Sequence, residues 1–135
     1  MTELVDSSVW IEFLRKTGSP AHLHVRQVLT TTPSVLSITE PVAMELLLGA
    51  TDERTLTRIT QLTESLALTR IDPSVDFSGA AGLYRSARRN GRTVRKVIDC
   101  LIAAIAIRSG ATLVHRDADY EVLASISDLQ TQSFP

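Results

Sequence analysis

The sequence predicts an α/β fold built around a mainly parallel central sheet. Short apolar segments with the length of strands alternate with helical patterns along the whole chain, which is the order that βαβ units produce. Right-handed crossovers then place helices against the faces of the sheet. The segment 97–107 (VIDCLIAAIAI) is apolar at ten of its eleven positions, as expected for a helix that is buried on every side. The length of 135 residues favours one domain, spanning residues 1–135, with a core of its own.

Helix caps and chain-breaking residues set the boundaries of the predicted elements. The run Asp6-Ser7-Ser8 is an N-cap signal, Pro41 fits the first turn of a helix, and Gly49 and Gly110 fit helix ends. The first half is predicted to contain a strand at 3–6, helices at 7–16 and 21–31, a strand at 34–38, and helices at 40–49 and 52–66. The second half is predicted to contain a weak strand at 67–71, a helix at 73–90, the apolar helix at 97–107, a buried strand at 111–115, a short helix at 120–126 and an edge strand at 129–133.

The composition excludes several classes of protein. A net charge of −1, 44% apolar residues and 21% charged residues are ordinary for a globular protein that is soluble in water. The longest apolar run, residues 100–107, is too short to span a membrane, and the N-terminus lacks the pattern of a signal peptide. Cys100 is the only cysteine, so an internal disulfide is excluded and a reducing compartment is favoured. We therefore expect a cytoplasmic protein without membrane contact. His22 and His24 lie two residues apart in a predicted helix, and we expect them at the surface rather than as zinc ligands.

Asp99 is the one charged residue inside the apolar helix. A buried acid is costly unless it is paired, protonated or bound to a cation. Arg95 and Lys96 precede it by four and three residues and would form a local ion pair if all three belonged to one helix. The alternative is that Asp99 points into a polar cleft and holds a metal ion there.

Four further acids fit the metal hypothesis. Glu45 lies in a predicted helix without a basic residue three or four positions away, although an exposed glutamate would need no partner. Asp6 and Asp117 follow predicted strands, with Asp119 two residues later, although N-capping alone would explain Asp6. The carboxyl ends of parallel strands share one edge of a sheet, so these acids can converge there. Oxygen ligands favour Mg²⁺ or Mn²⁺, and such sites suit phosphoryl chemistry.

Two surface features indicate partners. The segment 84–96 (YRSARRNGRTVRK) carries six cations and no anion, which predicts either a basic binding patch or merely a solvated helix face. The first helix offers Trp10, Phe13 and Leu14, more apolar surface than one buried face requires. Such residues form either a partner site or part of the core.

Three segments resemble the signatures of PIN-domain ribonucleases, and most closely the VapC toxins of bacterial toxin–antitoxin pairs. They are LVDSSVWIEFL, AMELLLGA and IDCLIAAIAIRSGATLVHRDADY, in this order and spacing. The resemblance places the family's four catalytic acids, which are also metal ligands, on Asp6, Glu45, Asp99 and Asp117, with Asp119 as a frequent additional acid. Two positions depart from the family pattern: His115 stands where Thr or Ser is common, and Tyr120 where Phe is common.

The resemblance implies a three-layer α/β/α fold and an endoribonuclease that depends on Mg²⁺ or Mn²⁺. Such an enzyme cleaves cellular RNA, often structured RNA such as tRNA or rRNA, and thereby inhibits translation and growth as the toxin of a type II toxin–antitoxin system. It also implies a homodimer and a VapB-like antitoxin that often binds DNA. Arg88, Arg89 and Arg92 are then expected to bind RNA phosphates, and Trp10, Phe13 and Leu14 to bind the antitoxin.

Other functions remain as alternatives at this stage. The Asp117-Ala118-Asp119 motif after a strand also fits a small Mg²⁺-dependent phosphatase, but that function leaves Asp6, Glu45 and Asp99 unexplained. A phospho-receiver domain would gather acids at strand ends without needing acids inside helices. An inactive PIN-like scaffold would be a binding module without catalysis.

Overall fold

Five parallel strands form one sheet at the centre of the protein, whose computed structural model describes residues 1–135. The strands are β1 (Glu3–Val5), β2 (Leu36–Ile38), β3 (Ala67–Leu68), β4 (Thr112–His115) and β5 (Gln130–Ser133). The helices are α1 (Ser7–Arg15), α2 (Pro20–Thr31), α3 (Glu40–Leu48), α4 (Glu53–Ser65), α5 (Asp76–Arg89), α6 (Val97–Ser109) and α7 (Ala118–Ser125), with a 3₁₀ turn at Pro33–Val35. The three-layer α/β/α fold predicted from the sequence is confirmed, and the sheet is entirely parallel.

The spatial order of the strands is β3-β2-β1-β4-β5. In the centre of the sheet Val5 of β1 is in register with Val114 of β4, and the backbone N–H of Asp6 donates to the carbonyl of Val114 over 2.9 Å. The chain therefore leaves β1 and β4 at neighbouring points of the same edge. Any side chains that follow these two strands are brought together by the sheet itself.

The core lies on both faces of the neighbouring strands β1 and β4. Leu4, Val5, Leu113 and Val114 are fully buried, because helices cover a parallel sheet on both sides. Seven residues of helix α6 between Asp99 and Ala106 are buried, including Asp99 and Cys100, as the apolar sequence of the helix predicts. Burial of each large apolar side chain contributes about 1.5–3 kcal/mol to folding.

The strand predicted at 67–71 is shorter than expected. Only Ala67–Leu68 pairs with β2, because the backbone beyond Thr69 is engaged by side chains instead of by a strand. The carboxylate of Glu40 accepts the Ile71 N–H over 2.8 Å, and Arg108 donates to the Arg70 carbonyl over 2.7 Å. None of the helices combines the length and the apolar composition that crossing a membrane would require.

Candidate metal centre

Three carboxylates meet at the edge of the sheet where β1 and β4 end. Asp99 extends from the first turn of α6, Asp117 is the N-cap of α7, and Asp119 lies in the first turn of α7. One oxygen from each of these side chains lies within 4.8 Å of the others. This spacing is compatible with oxygen ligands arranged around one cation.

Asp6 is joined to this cluster through Tyr120. The N–H and the hydroxyl of Ser8 donate to Asp6 Oδ2 over 3.0 and 2.6 Å, as in an N-cap. The Tyr120 hydroxyl lies 2.8 Å from Asp6 Oδ1 and 3.3 Å from Asp99 Oδ1. A phenol has one proton to donate, so it bonds to one carboxylate at a time and separates two like charges. Asp6 is thus both a helix cap and a neighbour of the acid cluster.

Glu45 reaches the same edge from α3. The Ser7 hydroxyl donates to Glu45 Oε1 over 3.1 Å, and Ser7 is the residue next to Asp6. The side chain is half-buried, and burial raises its pKa, with the negative charge of Asp6 as the next cause. A carboxyl group with a raised pKa is better suited to exchange protons near neutral pH.

Asp99 has no local ion pair. Arg95 Nη2 lies 3.3 Å from Asp117 Oδ1, and Lys96 Nζ lies 3.4 Å from Asp117 Oδ2. The Arg95 backbone N–H also donates to Asp119 Oδ2 over 3.0 Å, and the Arg95 Nε lies 3.5 Å from the same oxygen. The alternative of a local ion pair between Asp99 and Arg95 or Lys96 is therefore wrong, because Lys96 is the N-cap of α6 and Arg95 precedes it. Helical spacing does not apply to residues outside the helix.

The Asp99 carboxylate is buried and incompletely bonded. It is 2% exposed, and its Oδ2 has no hydrogen-bond partner. Burial raises the pKa of Asp99 to about 7; Lys96 counteracts this rise, whereas Asp6, Asp117 and Glu45 reinforce it. Burial acts in the same direction on Asp117, but the Asp119 N–H and Lys96 outweigh it and lower the pKa of Asp117. An ionised Asp99 needs a cation beside Oδ2, so the donor set fits a divalent metal ion.

His115 and Tyr120 were not predicted as site residues, but they contact the acids and hold them in position. His115 is fully buried; its Nδ1 accepts the Asp117 N–H over 3.1 Å, and its Nε2 donates to Glu121 Oε1 over 2.9 Å. The rings of His115 and Tyr120 pack with their centres 5.0 Å apart. The only sequence signal for a role of His115 and Tyr120 in the site was that both depart from the family pattern. The two side chains are in contact with each other.

The basic segment 84–96 divides into two parts. Arg95 and Lys96 are engaged by the acids, whereas Arg88, Arg89 and Arg92 are exposed and form no ion pair. Arg88 contacts the Tyr84 hydroxyl at 3.4 Å. Helix α5 ends at Arg89, and Gly91 turns the chain with a φ of +70°. These three guanidinium groups remain available to an anionic partner.

The apolar residues of α1 are less exposed than expected. Trp10 is fully buried, because α2 and α3 pack against α1, so its assignment to a partner site is wrong. Phe13 and Leu14 are half-buried and pack against the core. Leu14 also lines a groove of about 360 Å³ together with Ile11, and Glu45 stands in the same groove. We call this cavity between α1, α3 and α4 the α1–α4 groove.

Comparison with known proteins identifies the family. The PIN domain model matches residues 4–126. The chain belongs to the PIN-domain family. Within it, this PIN-domain chain is 50% identical over 131 residues to ribonuclease VapC11 of Mycobacterium tuberculosis and to the VapC ribonuclease Mb1587 of Mycobacterium bovis. The match covers 97% of this chain and 98% of each relative.

Solved structures support the same fold. VapBC2 from Rickettsia felis, bound to a DNA fragment from its promoter, superposes with a TM-score of 0.78 at 16% identity and covers 100% of both chains. DNA-bound VapBC from Salmonella typhimurium superposes with a TM-score of 0.76 at 20% identity and covers 98% of both chains. At such identities the likeness is one of fold.

Proposed function

We propose that this PIN-domain chain is a divalent-metal-dependent endoribonuclease that acts in the cytoplasm as the toxin of a VapBC-like toxin–antitoxin pair. The observation that carries the proposal is the unbonded Oδ2 of Asp99, buried beside two further carboxylates. The 50% identity to proteins named VapC ribonucleases supports the same function. A receiver domain or a phosphatase built on Asp117 and Asp119 would not require Glu45 and Asp99 at this edge.

Each acid has a proposed role. Asp6, Asp99, Asp117 and Asp119 would hold Mg²⁺ or Mn²⁺, with Glu45 beside them. When bound, such an ion lowers the pKa of a coordinated water and offsets the charge that develops on the phosphate. Glu45, whose pKa is raised by burial and by Asp6, exchanges protons with the reacting water or the leaving oxygen.

Supporting groups keep these acids in place. Arg95 and Lys96 bind Asp117 and Asp119 and thereby reduce the repulsion within the cluster. His115 fixes the backbone at Asp117 through its bond to the Asp117 N–H. The chain therefore positions Asp117 and Asp119 before a metal ion arrives.

Metal removal tests the function directly. Cleavage of total RNA is expected to fall to background in excess EDTA and to return on addition of Mg²⁺ or Mn²⁺, because carboxylate ligands favour hard cations. The measurement is gel analysis of RNA, run beside hydrolysis of a small phosphomonoester. Cleavage that continues undiminished in EDTA would contradict metal dependence, and phosphomonoester hydrolysis without RNA cleavage would favour a phosphatase.

The residues of the basic segment that form no ion pair are proposed to bind RNA phosphates. Combined replacement of Arg88, Arg89 and Arg92 by Ala is expected to weaken RNA binding to a similar extent for all sequences. The log–log salt dependence should flatten by about one unit for each lost contact. Binding is measured in EDTA, which prevents cleavage, and Arg70→Ala serves as a control because Arg70 is also exposed. A salt dependence equal to that of the control would leave the segment as a solvated surface.

The α1–α4 groove is proposed as the site of a VapB-like, DNA-binding antitoxin. Ile11 is exposed in this groove beside Leu14. Phe13 lies on the same helix and lines the adjoining pocket, beside the groove. Ile11→Asp is expected to weaken antitoxin binding by tenfold or more, because a charge would enter an apolar contact. Isothermal titration with the antitoxin measures the change. Phe77→Asp, at an exposed apolar residue of α5, is the control, and equal effects of both variants would remove the groove from the interface.

A homodimer is part of the same proposal. Leu48 of α3 is 78% exposed, and Met44, Leu47 and Leu68 are also exposed around one apolar depression. Exposed apolar patches of this kind mark interfaces, and we assign this one to a second copy of the chain. Sedimentation equilibrium of the wild type and of Leu48→Asp tests the assignment; a monomeric wild type, or a variant that remains dimeric, would contradict it.

A further inference from the structure

A second cationic site lies where α1 ends against α2 and α4. A pocket of about 410 Å³ is lined by five residues: Phe13, Lys16, His22, Arg26 and Arg58. Lys16, Arg26 and Arg58 are exposed, and none of the three forms an ion pair. No carboxylate lines this cavity, which we call the α1–α2–α4 pocket. Three positive charges without counter-charges favour an anionic ligand.

His22 adds an imidazole donor to these cations. It was expected at the surface, but it is only 8% exposed, because its ring packs 6.0 Å from that of Phe13. Its Nδ1 accepts the Gly18 N–H over 2.9 Å, so the neutral ring carries its proton on Nε2. That Nε2–H bonds to no other protein atom. Solvent reaches this N–H group, so it is free to donate to a ligand in the pocket.

Arg58 links the pocket to the metal centre. Its Nη2 donates to the Leu14 carbonyl over 3.2 Å, which holds the guanidinium group over the end of α1 and leaves its other N–H groups free. Arg58 lines both the α1–α2–α4 pocket and the α1–α4 groove, and Glu45 lines the same groove. The groove therefore leads from the catalytic acids to the cationic pocket.

We propose that the α1–α2–α4 pocket binds a backbone phosphate of the RNA substrate, away from the phosphate that is cleaved. The proposal rests on the ribonuclease function argued above. A phosphate offers several acceptor oxygens to the guanidinium, ammonium and imidazole donors that converge here. A peptide segment with apolar side chains fits less well, because Phe13 is the only apolar residue of the lining. A polymer rather than free phosphate is favoured because the groove continues to the metal centre.

The test compares Arg26→Ala with Arg70→Ala. Both residues are exposed and their side chains form no ion pair, so both variants should fold. For Arg26→Ala we expect RNA binding in EDTA to weaken several-fold and the log–log salt dependence to flatten by about one unit. The double variant with Lys16→Ala should flatten it by about two units. With metal, KM for a long RNA should rise, whereas cleavage of an oligonucleotide too short to reach the pocket should be unchanged.

Several results would overturn the proposal. One is a salt dependence for Arg26→Ala that equals that of Arg70→Ala. Another is that inorganic phosphate binds in the pocket, as followed through the His22 ring signals in NMR spectra, while the affinity for RNA is the same with and without that phosphate. Loss of antitoxin affinity with unchanged RNA affinity would assign the pocket to an acidic segment of the antitoxin. Absence of metal-dependent cleavage in the wild type would contradict the ribonuclease function, while binding in EDTA would still decide whether RNA occupies the pocket.

Discussion

Asp99→Asn is expected to abolish RNA cleavage and to leave the metal-free protein at least as stable as the wild type. The substitution keeps the shape of the side chain and removes one negative charge from the cluster. In the wild type, Asp99 is buried, Asp6 and Asp117 lie nearby, and Oδ2 is unbonded. Removal of the charge relieves this repulsion, and we expect a gain of about 1–3 kcal/mol in the free energy of unfolding at neutral pH.

The pH dependence of this gain follows from the raised pKa of Asp99. The folded state keeps the proton up to a pKa of about 7, whereas the unfolded chain releases it near pH 3.9. The folded state therefore binds more protons between these values, and the contribution of Asp99 to stability decreases as the pH rises through this window. The advantage of Asp99→Asn should be absent near pH 4 and complete above pH 7.

Asp117→Asn is a matched variant that we expect to change the stability of the metal-free protein in the opposite direction. The pKa of Asp117 is lowered despite its burial, because the Asp119 N–H and Lys96 stabilise its charge. Loss of that charge would leave Lys96 without a partner and Arg95 with Asp119 alone, so the metal-free protein should become less stable, while cleavage is again lost. Thermal unfolding of the three proteins, in EDTA and in Mg²⁺, measures both effects.

Added Mg²⁺ gives a further observable for these variants. It should raise the midpoint of the wild type more than that of either variant, because a ligand stabilises only through its affinity for the folded state. A lower metal-free midpoint for Asp99→Asn together with retained cleavage would remove Asp99 from the site.

Asp76→Asn is expected to lower the free energy of unfolding by roughly 2–3 kcal/mol at pH 7, at or below the size expected for breaking a fully buried ion pair, because the Arg108 side chain is 34% exposed and partly screened by solvent. Asp76 is 2% exposed; Arg108 donates to its Oδ1 over 2.8 Å and to its Oδ2 over 3.0 Å, and the Asp72 N–H donates over 2.7 Å. These bonds join the start of α5 to the end of α6. An amide would turn an N–H group toward Arg108 and leave the guanidinium without its counter-charge.

The pH dependence separates this ion pair from simple packing. Burial raises the pKa of Asp76, but Arg108 and the Asp72 N–H outweigh it, so the pKa is lowered overall. A lowered folded-state pKa means that stability is present above the unfolded pKa, about 3.9, and is lost as the pH falls through the folded pKa. The difference in the free energy of unfolding between the wild type and Asp76→Asn should therefore shrink below about pH 4.

Denaturant unfolding from pH 7 to pH 3 measures this difference, with Asp128→Asn as the control at an exposed acid. A constant difference across this range would assign the effect of Asp76→Asn to packing. At pH 7 the midpoint of thermal unfolding should fall by about 10 °C. RNA cleavage by the folded variant should persist, because this ion pair does not touch the acid cluster.

Local chemistry made most of the acid cluster visible in the sequence. Asp99 stands out because an acid is conspicuous in a helix that is apolar on every side, and Asp6 and Asp117 stand out because each follows a strand. Parallel strands bring such positions to one edge whatever the intervening chain does. The alternation of strands and helices likewise determined the α/β class, since periodicity is a property of neighbouring residues.

Pairing between distant segments was decided by the tertiary structure. Arg95 and Lys96 are close to Asp99 in sequence, yet they bind Asp117 and Asp119, because α6 begins after them and α7 begins opposite them. Trp10 and His22 are buried only because α1, α2 and α3 pack together. The Tyr120 hydroxyl reaches Asp6 across 114 positions of the chain. By itself the sequence determined which residues carry charge and which elements hold them; which charges meet, and which side chains water reaches, depend on contacts between elements that no local pattern encodes.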